Sequence, residues 1–566
     1  MKIWGNIRPN HVLAAACAIS LVYKIALRNR EDLVTGVSDF FREFTDSTEY
    51  NNKENQFLLG NYAPVEEENF NIPLVASQGA LPEDVEGLFL RVGPNPLTTE
   101  RKRKYHWFDG HGMIHSVRVY PPGQTAGEGG SRAVYSNQWV RTPRFEIESE
   151  KKRPVFLQLG EYVGWLGLLK ILLLTPLHHW AFDTSRLKVG QANTAVLLHD
   201  SGLYSLHEGS LPFKIKWKDD NKFESLGYED FGGGLDFPVS AHARVDPSDG
   251  SLYFNGYSVD QSDPMKAGRV DSQGHLTSLY TVPLPVRSWT HDFLFTENFV
   301  LLFETSVHFD KTGIVKGQLF GLTHDHKFKV GIQSKSAEDA EETVWITADR
   351  PYALIHALNA WEETSKGTVV GQGGPPGDVI VLWAPLAESF SGVLEENDNT
   401  VMLSELRIDL QAQKMEITQV AKGPGEFPRV HPDFLGKASK FGFVCGMRWS
   451  DGLFDRIEKY DLKEKRLVAS AHYPEGVFGG EAVPIPKKRK RHTGEGADEQ
   501  KGDASDAVYL STFTHDTKRG VSEWRLYDGE TLSEVPVFTA PVPVRVPFGF
   551  HGTWIGEGEL QRHLKS

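Results

Sequence analysis

From about Gly60 to the C-terminus this chain repeats one local design, a short run of alternating apolar residues, an Asp- or Gly-bearing turn, and another short run. Arg244–Gly250 followed by Ser251-Leu-Tyr-Phe is one such unit, and Lys459–Arg466 followed by Leu-Val-Ala is a second. Arg407–Lys414 and Arg525–Leu532 are two more. Period-two alternation broken by turn residues is the local signature of a β-hairpin. Stretches with a 3.6-residue period are scarce, and 54 glycines and 31 prolines punctuate the chain. Many short strands and few helices predict an all-β fold of the propeller or large-barrel kind, not a helical or parallel α/β fold. With 566 residues, that is a large fold, but a propeller grows by adding blades and outruns the usual domain size.

Composition narrows the function. The net charge of −14 is spread along the chain, whereas nucleic-acid binders gather basic residues on one face; nucleic acid is not an expected partner. Nothing in the sequence points to an obligate protein partner either. There are two cysteines, Cys17 and Cys445, too few for a disulfide framework or a Cys-based zinc site. A bound metal would have to be held by His, Asp or Glu.

Three segments depart from the β texture. Residues 1–30 carry no Asp or Glu, and Val12–Tyr23 is an almost unbroken apolar run. The run is short for a membrane span, which needs about 20 residues, and fits a signal, transit or anchor segment. An uncleaved anchor over Val12–Leu27 and an ordinary buried helix are the other readings; the destination, a plastid among others, is open. Residues 31–55 are polar and charged and are expected to form a flexible linker, leaving 56–566 as a single β-propeller domain. Val163–Leu174 (VGWLGLLKILLL) is densely apolar and reads either as a buried helix or as a patch that meets a membrane. Residues 487–506 open with Lys487-Lys-Arg-Lys-Arg491 and continue in Gly, Asp and Glu, a polar surface loop inserted between strands rather than a nuclear-import patch.

Among 21 histidines, four share an unusual setting. His242, His291, His356 and His551 each lie alone in an apolar or aromatic stretch: Phe237–Asp246, Trp289–Phe293, Leu354–Glu363 and Val546–Trp554. They are 49, 65 and 195 residues apart, which suits four blades converging on an axis. On these residues alone, a shared metal and four separately satisfied core histidines both remain open.

The same four stretches, in the same order, resemble the histidine motifs of the carotenoid cleavage oxygenase family, which includes the retinoid isomerase of the eye. Gly87-Leu-Phe-Leu-Arg-Val-Gly-Pro-Asn-Pro96, Trp107-Phe-Asp-Gly110, Gly112-Met-Ile-His115 and Ala192-Asn-Thr-Ala195 extend the resemblance, which runs from about residue 55 to about 560. Asn359-Ala-Trp-Glu-Glu363 and Phe548-Gly-Phe-His-Gly552 look most similar to the plant-type dioxygenases. The plant branch usually has Asp-Gly-Asp-Gly after Trp-Phe, whereas here His111 follows Gly110, which weakens the link to that branch.

The resemblance implies a seven-bladed propeller with an apolar helical or loop cap over the metal-bearing axis. It implies one catalytic Fe(II) on His242, His291, His356 and His551, with O2 as co-substrate. It also implies Glu208, Glu426 and Glu481 as carboxylates that orient the ligand rings, whereas each alone would read as a surface residue. The expected reaction is oxidative cleavage of a conjugated double bond in a carotenoid or apocarotenoid. Cleavage of a stilbene-like phenolic, retinoid isomerisation and a scaffold without metal are the alternatives. Trp165, Leu166, Leu168, Leu169, Ile171 and Leu172 fall where family members carry an apolar patch that dips into a membrane and admits substrate. His111 and His115 receive no ligand role, and His324 and His326 are expected at a solvent-facing strand end.

Overall fold

The computed structural model describes residues 30–49, 54–97, 105–125, 130–162, 164–258, 264–309, 320–337, 343–390, 401–488 and 504–566. The expected targeting segment before Arg30, and the body of the expected polar loop (489–503), lie outside these residues.

The strands form seven antiparallel blades. Blade 1 holds Asn69–Pro73, Gly87–Asn95, His111–Val119 and Ala133–Trp139, and blade 2 runs from Ala195–His199 to Phe223–Tyr228. Blades 3, 4, 5 and 6 start at the strands Arg244–Val245, Phe293–Phe295, Asn359–Glu363 and Gly425–Arg429. Blade 7 is built on Val483–Pro486, Val508–Asp516, Val521–Asp528 and Phe538–Val542. The ring is closed twice. The last strand, Gly552–Gly556, pairs with Gly87–Asn95 of blade 1, while Gln78–Gly79 crosses back to pair with Thr539 and Phe538 of blade 7. Gly79 is required there: its φ is +71°, and a Cβ would come 2.0 Å from the Val537 carbonyl oxygen.

The alternation read from the sequence explains the packing. Phe213–Trp217 alternates buried and half-buried residues, with Phe213, Ile215 and Trp217 inward. Apolar residues gather between blades rather than on the axis. Leu294, Leu301, Ile380 and Leu406 join blades 4 and 5, and Phe89, Tyr135, Phe513 and Trp524 join blades 7 and 1. Corresponding clusters fill the other five interfaces. Burial of this area drives closure of the ring, and it leaves the axis to polar groups.

The described helices fall outside the blades in chain order. Helix α1 (Arg30–Glu49) precedes the propeller, and α2 (Pro143–Lys151) and α3 (Gly164–Ala181) fall between blades 1 and 2. A fourth helix, α4 (Glu557–Lys565), follows the closing strand. Thr142 caps α2 by accepting from the Phe145 N–H at 3.2 Å, and Pro143 is at its first position.

The expectation of a flexible linker over 31–55 is corrected: α1 is a helix that packs on α3. Its buried residues Val34, Thr35 and Ser38 recur at helical spacing, and Ser38 Oγ lies 2.8 Å from His178 Nε2 of α3. Polar composition hid that narrow stripe. Arg42 Nε donates to Glu161 Oε1 (2.9 Å), and its Nη1 and Nη2 donate to the Pro154 (2.6 Å) and Phe156 (3.1 Å) carbonyls.

The Val163–Leu174 stretch is helical from Gly164, as one reading held, but it is not buried all round. Gly167, Lys170, Leu174, His178 and Ala181 face inward, while Leu169, Leu172, Leu173, Leu177 and Trp180 are exposed. Its only lysine is therefore the inward residue, 3.5 Å from Glu161 Oε1, and Leu172 is 64% exposed. Leu168 and Ile171 are half-buried, and Trp165 and Leu166 lie on the first turn. Among the described residues, no helix is long and apolar enough to cross a membrane.

Candidate metal centre

Each of the four histidines sits just before the first or closing strand at a blade edge. His242 precedes Arg244–Val245, His291 precedes Phe293–Phe295, His356 precedes Asn359–Glu363, and His551 precedes Gly552–Gly556. Inner strand ends of a propeller converge on its axis, so residues far apart in sequence meet there. One ring nitrogen from each of the four lies within 4.8 Å of those of the others, and His242 Nε2 is 2.9 Å from His291 Nε2. His291, His356 and His551 are buried and His242 half-buried.

Three carboxylates stand behind three of the rings. His291 Nδ1 is 3.0 Å from Glu208 Oε1, His356 Nδ1 is 2.6 Å from Glu426 Oε2, and His551 Nδ1 is 2.9 Å from Glu481 Oε1. A carboxylate on Nδ1 fixes the proton there and leaves the Nε2 lone pair facing the other rings. The carboxylates are held in turn: Trp289 Nε1 donates to Glu208 (3.0 Å), the Phe427 N–H to Glu426 (2.6 Å), and Arg429 Nε to Glu481 (2.8 Å). Among the described residues no such carboxylate stands behind His242; its ring packs against the other three, 4.5 to 4.7 Å between centroids.

The electrostatics favour the neutral form at His242 and His551 and oppose it at His291. Burial, and then the neighbouring rings, push His242 well below the usual histidine range. Burial brings His551 down to about 4. Burial also opposes a charge on His291, but the Glu208 carboxylate outweighs it and raises that group. Glu481 is lowered despite burial, because Arg429 and His551 stabilise its charge. Neutral imidazole is the form that binds a metal. His356 Nε2 is buried with no hydrogen-bond partner, which is costly for a polar atom and is relieved by a cation at the cluster. The four nitrogens thus fit a divalent transition metal that prefers imidazole.

Aromatic rings flank the cluster: Phe427 lies 5.1 Å from His551 and 5.6 Å from His356, and Trp289 lies 5.2 Å from His291, between centroids. Trp289 packs in turn on Phe320 and Phe390. A cavity of about 110 Å³ adjoins the cluster and is lined by His242, His356 and His551 with Arg244, Asp292, Arg429 and Glu481.

Other candidate residues fall elsewhere. His111 pairs with Glu148 (2.9 Å) and His115 with the Tyr135 hydroxyl (2.8 Å); neither joins the cluster. His324 is exposed as expected, but His326 is not simply solvent-facing: it turns onto Glu304 at 2.5 Å and packs on His308. The sequence reading passed over Arg244, Asp292, Trp289 and Arg429. Each lies within three residues of a histidine or glutamate of the site, and adjacency was the signal available.

The chain is 28% identical to a carotenoid 9,10(9',10')-cleavage dioxygenase of Crocus sativus over 523 residues, 89% of this chain and 90% of that one. It is 27% identical to a chloroplastic 9-cis-epoxycarotenoid dioxygenase of Arabidopsis thaliana, over 90% of this chain and 82% of the other. Its fold matches the apocarotenoid oxygenase of Synechocystis with a TM-score of 0.70 at 21% identity, covering 88% of this chain and 98% of that chain. A lignostilbene dioxygenase of Pseudomonas brassicacearum matches at 0.72 and 18%, covering 89% and 98%. The sequence model of the retinal pigment epithelial membrane protein family matches residues 62–556, and the chain belongs to that family, the carotenoid cleavage oxygenases.

Proposed function

We propose that this chain is a non-haem iron dioxygenase that cleaves a conjugated double bond of a carotenoid or apocarotenoid. One Fe(II) would be held by His242, His291, His356 and His551, with O2 as co-substrate. The observation that carries this reading is the convergence of four imidazoles whose Nδ1 sides face carboxylates, in three cases out of four, and whose Nε2 sides face one another. The likeness to carotenoid dioxygenases over nine-tenths of the chain supports the substrate class.

Fe(II) held by His242, His291, His356 and His551 would supply O2 activation at the cluster. This chain's own residues have narrower tasks. Glu208, Glu426 and Glu481 keep three rings in the Nδ1–H tautomer and fix their orientation. Phe427 and Trp289 offer flat apolar faces to a conjugated chain beside the cluster and limit water there. Holding one double bond at a set place decides where the substrate is cut. No side chain is needed as acid or base.

A carotenoid is insoluble in water and must come from lipid. The outward leucines of α3, with the exposed Leu33 and Phe40 of α1, form the surface that we assign to a membrane, near the entry for substrate. Trp165, Leu166, Leu168, Leu169, Ile171 and Leu172 belong to that entry. A plastid destination for residues 1–30 is supported by the chloroplastic relative.

The test is product analysis. The full-length protein is incubated with Fe(II), O2 and a panel of carotenoids, apocarotenoids and stilbenes in detergent, beside a His291→Ala control. Aldehyde or ketone fragments, matched by O2 uptake and lost in the control, are expected from the carotenoid arms. Isomerised product without O2 uptake, or fragments from stilbenes alone, would overturn the substrate or reaction class.

A further inference from the structure

Three of the four histidines are followed within two residues by groups tied to one another across blades. Asp292, next to His291, is 1% exposed. Its Oδ2 accepts from the Ala357 N–H (2.8 Å), the residue after His356, and from Arg244 Nη2 (2.7 Å), two residues after His242. Its Oδ1 accepts from the Phe293 N–H (2.7 Å) and from Arg244 Nε (3.3 Å). Arg244 also donates to the carbonyls of Phe293 (3.0 Å) and Ala357 (3.2 Å). One carboxylate and one guanidinium, the latter two residues past His242, thus bind the backbone beside His291 and His356 and link blades 3, 4 and 5. The fourth ligand is tethered separately: Gly552, after His551, donates to Glu481 Oε2 (2.7 Å), and its carbonyl accepts from Arg429 (3.0 Å).

Joining blades does not call for buried charge. All seven blade interfaces are filled by apolar residues, and a buried ion pair often gains no stability over a well-packed apolar one. What a forked, charge-assisted contact adds is direction and fixed spacing. We propose that Asp292 and Arg244 act as positioning residues that set the spacing of His242, His291 and His356 for a metal. This rests on the metal reading of the cluster, and the experiment separates the two.

The test is titration of the full-length apoprotein with Co(II), following both affinity and the visible ligand-field bands, alongside a thermal melt. Asp292→Asn keeps the shape but cannot accept from both Ala357 and Arg244 through two anionic oxygens. It is expected to weaken Co(II) binding by roughly tenfold or more, the usual cost of losing a group that supports a ligand, and to shift the bands. Asp506→Asn is the control, since it breaks another ion pair, between buried Lys459 and half-buried Asp506 at 2.7 Å. It should lower the melting temperature and leave affinity and spectrum at wild-type values. If Asp292→Asn binds Co(II) with wild-type affinity and spectrum, or if Asp506→Asn reproduces its losses, the proposal fails. Should Asp292→Asn not fold, Arg244→Lys decides. It keeps the charge but not the fork, and a wild-type spectrum and affinity there would refute the positioning role. Wild-type protein that binds no Co(II) or Fe(II) would remove the metal reading itself.

Discussion

Arg429 and His551 share one oxygen of Glu481: Arg429 Nε lies 2.8 Å and His551 Nδ1 2.9 Å from Oε1, while Oε2 takes the Gly552 N–H at 2.7 Å. Each contact aids the others, because the guanidinium keeps the carboxylate charged and the charged carboxylate holds the imidazole proton. Glu481→Gln keeps the shape and loses the charge. It leaves the half-buried Arg429 beside a neutral amide and frees the His551 ring to take the other tautomer. Metal affinity should fall by roughly 10- to 100-fold, measured by competitive titration with a chelator. Direct loss of a ligand is harsher: His356→Ala should leave less than stoichiometric iron after purification and abolish cleavage.

The histidines also set a pH dependence. His242 and His551 are pushed down by burial, so they stay neutral well below pH 6, whereas Glu208 raises His291. A raised group holds its proton to higher pH, and a metal must displace that proton. Metal affinity should therefore strengthen as pH rises through the His291 titration and level off above it. Glu208→Gln removes the charge that raises His291, so the midpoint should move to lower pH even as the plateau affinity drops. A midpoint that stays in place would mean that another group sets it.

How much of this was legible in the sequence depends on the kind of interaction. The hairpin texture was plain because strand burial has a period of two, and Phe213, Ile215 and Trp217 alternate as the pattern requires. The four histidines stood out by their apolar settings, yet their meeting on one axis follows from closure of the ring, which no local window contains. Glu208, Glu426 and Glu481 look like surface carboxylates until a family likeness points at them. Arg244 and Asp292 carry no such signal, because a contact between blades 3 and 4 leaves no spacing rule in the sequence. Helix α1 was misread because only Val34, Thr35 and Ser38 of its charged first turns are buried.

The surface of α3 gives a prediction about substrate supply. Leu169 and Leu172 point outward, so charging them costs the fold little. Leu169 and Leu172 are 41% and 64% exposed, so burying what remains in lipid is worth about 1.5 to 3 kcal/mol. The double variant Leu169→Asp/Leu172→Asp should lose most of its binding to liposomes in a co-flotation assay. Cleavage of a carotenoid held in those liposomes should fall with it, while cleavage of a short apocarotenoid in detergent stays near wild type. Equal loss in both assays would place the leucines in folding rather than in delivery.

The crossed closure of the ring predicts where the propeller opens. Gln78–Gly79 is the N-terminal strand's hold on blade 7, and Gly552–Gly556 is the C-terminal strand's hold on blade 1. Gly79→Ala puts a Cβ into the Val537 carbonyl at a backbone angle that L-residues resist, at a cost of about 1 to 3 kcal/mol. Because His551 immediately precedes the closing strand, loosening the closure should reach the cluster. Hydrogen exchange should quicken first in Phe538–Val542, and metal should dissociate faster from the variant than from wild type at the same temperature. If exchange quickens there while metal release is unchanged, the two clasps are independent, and the hold of Gly552–Gly556 on Gly87–Asn95 is enough to keep His551 in place.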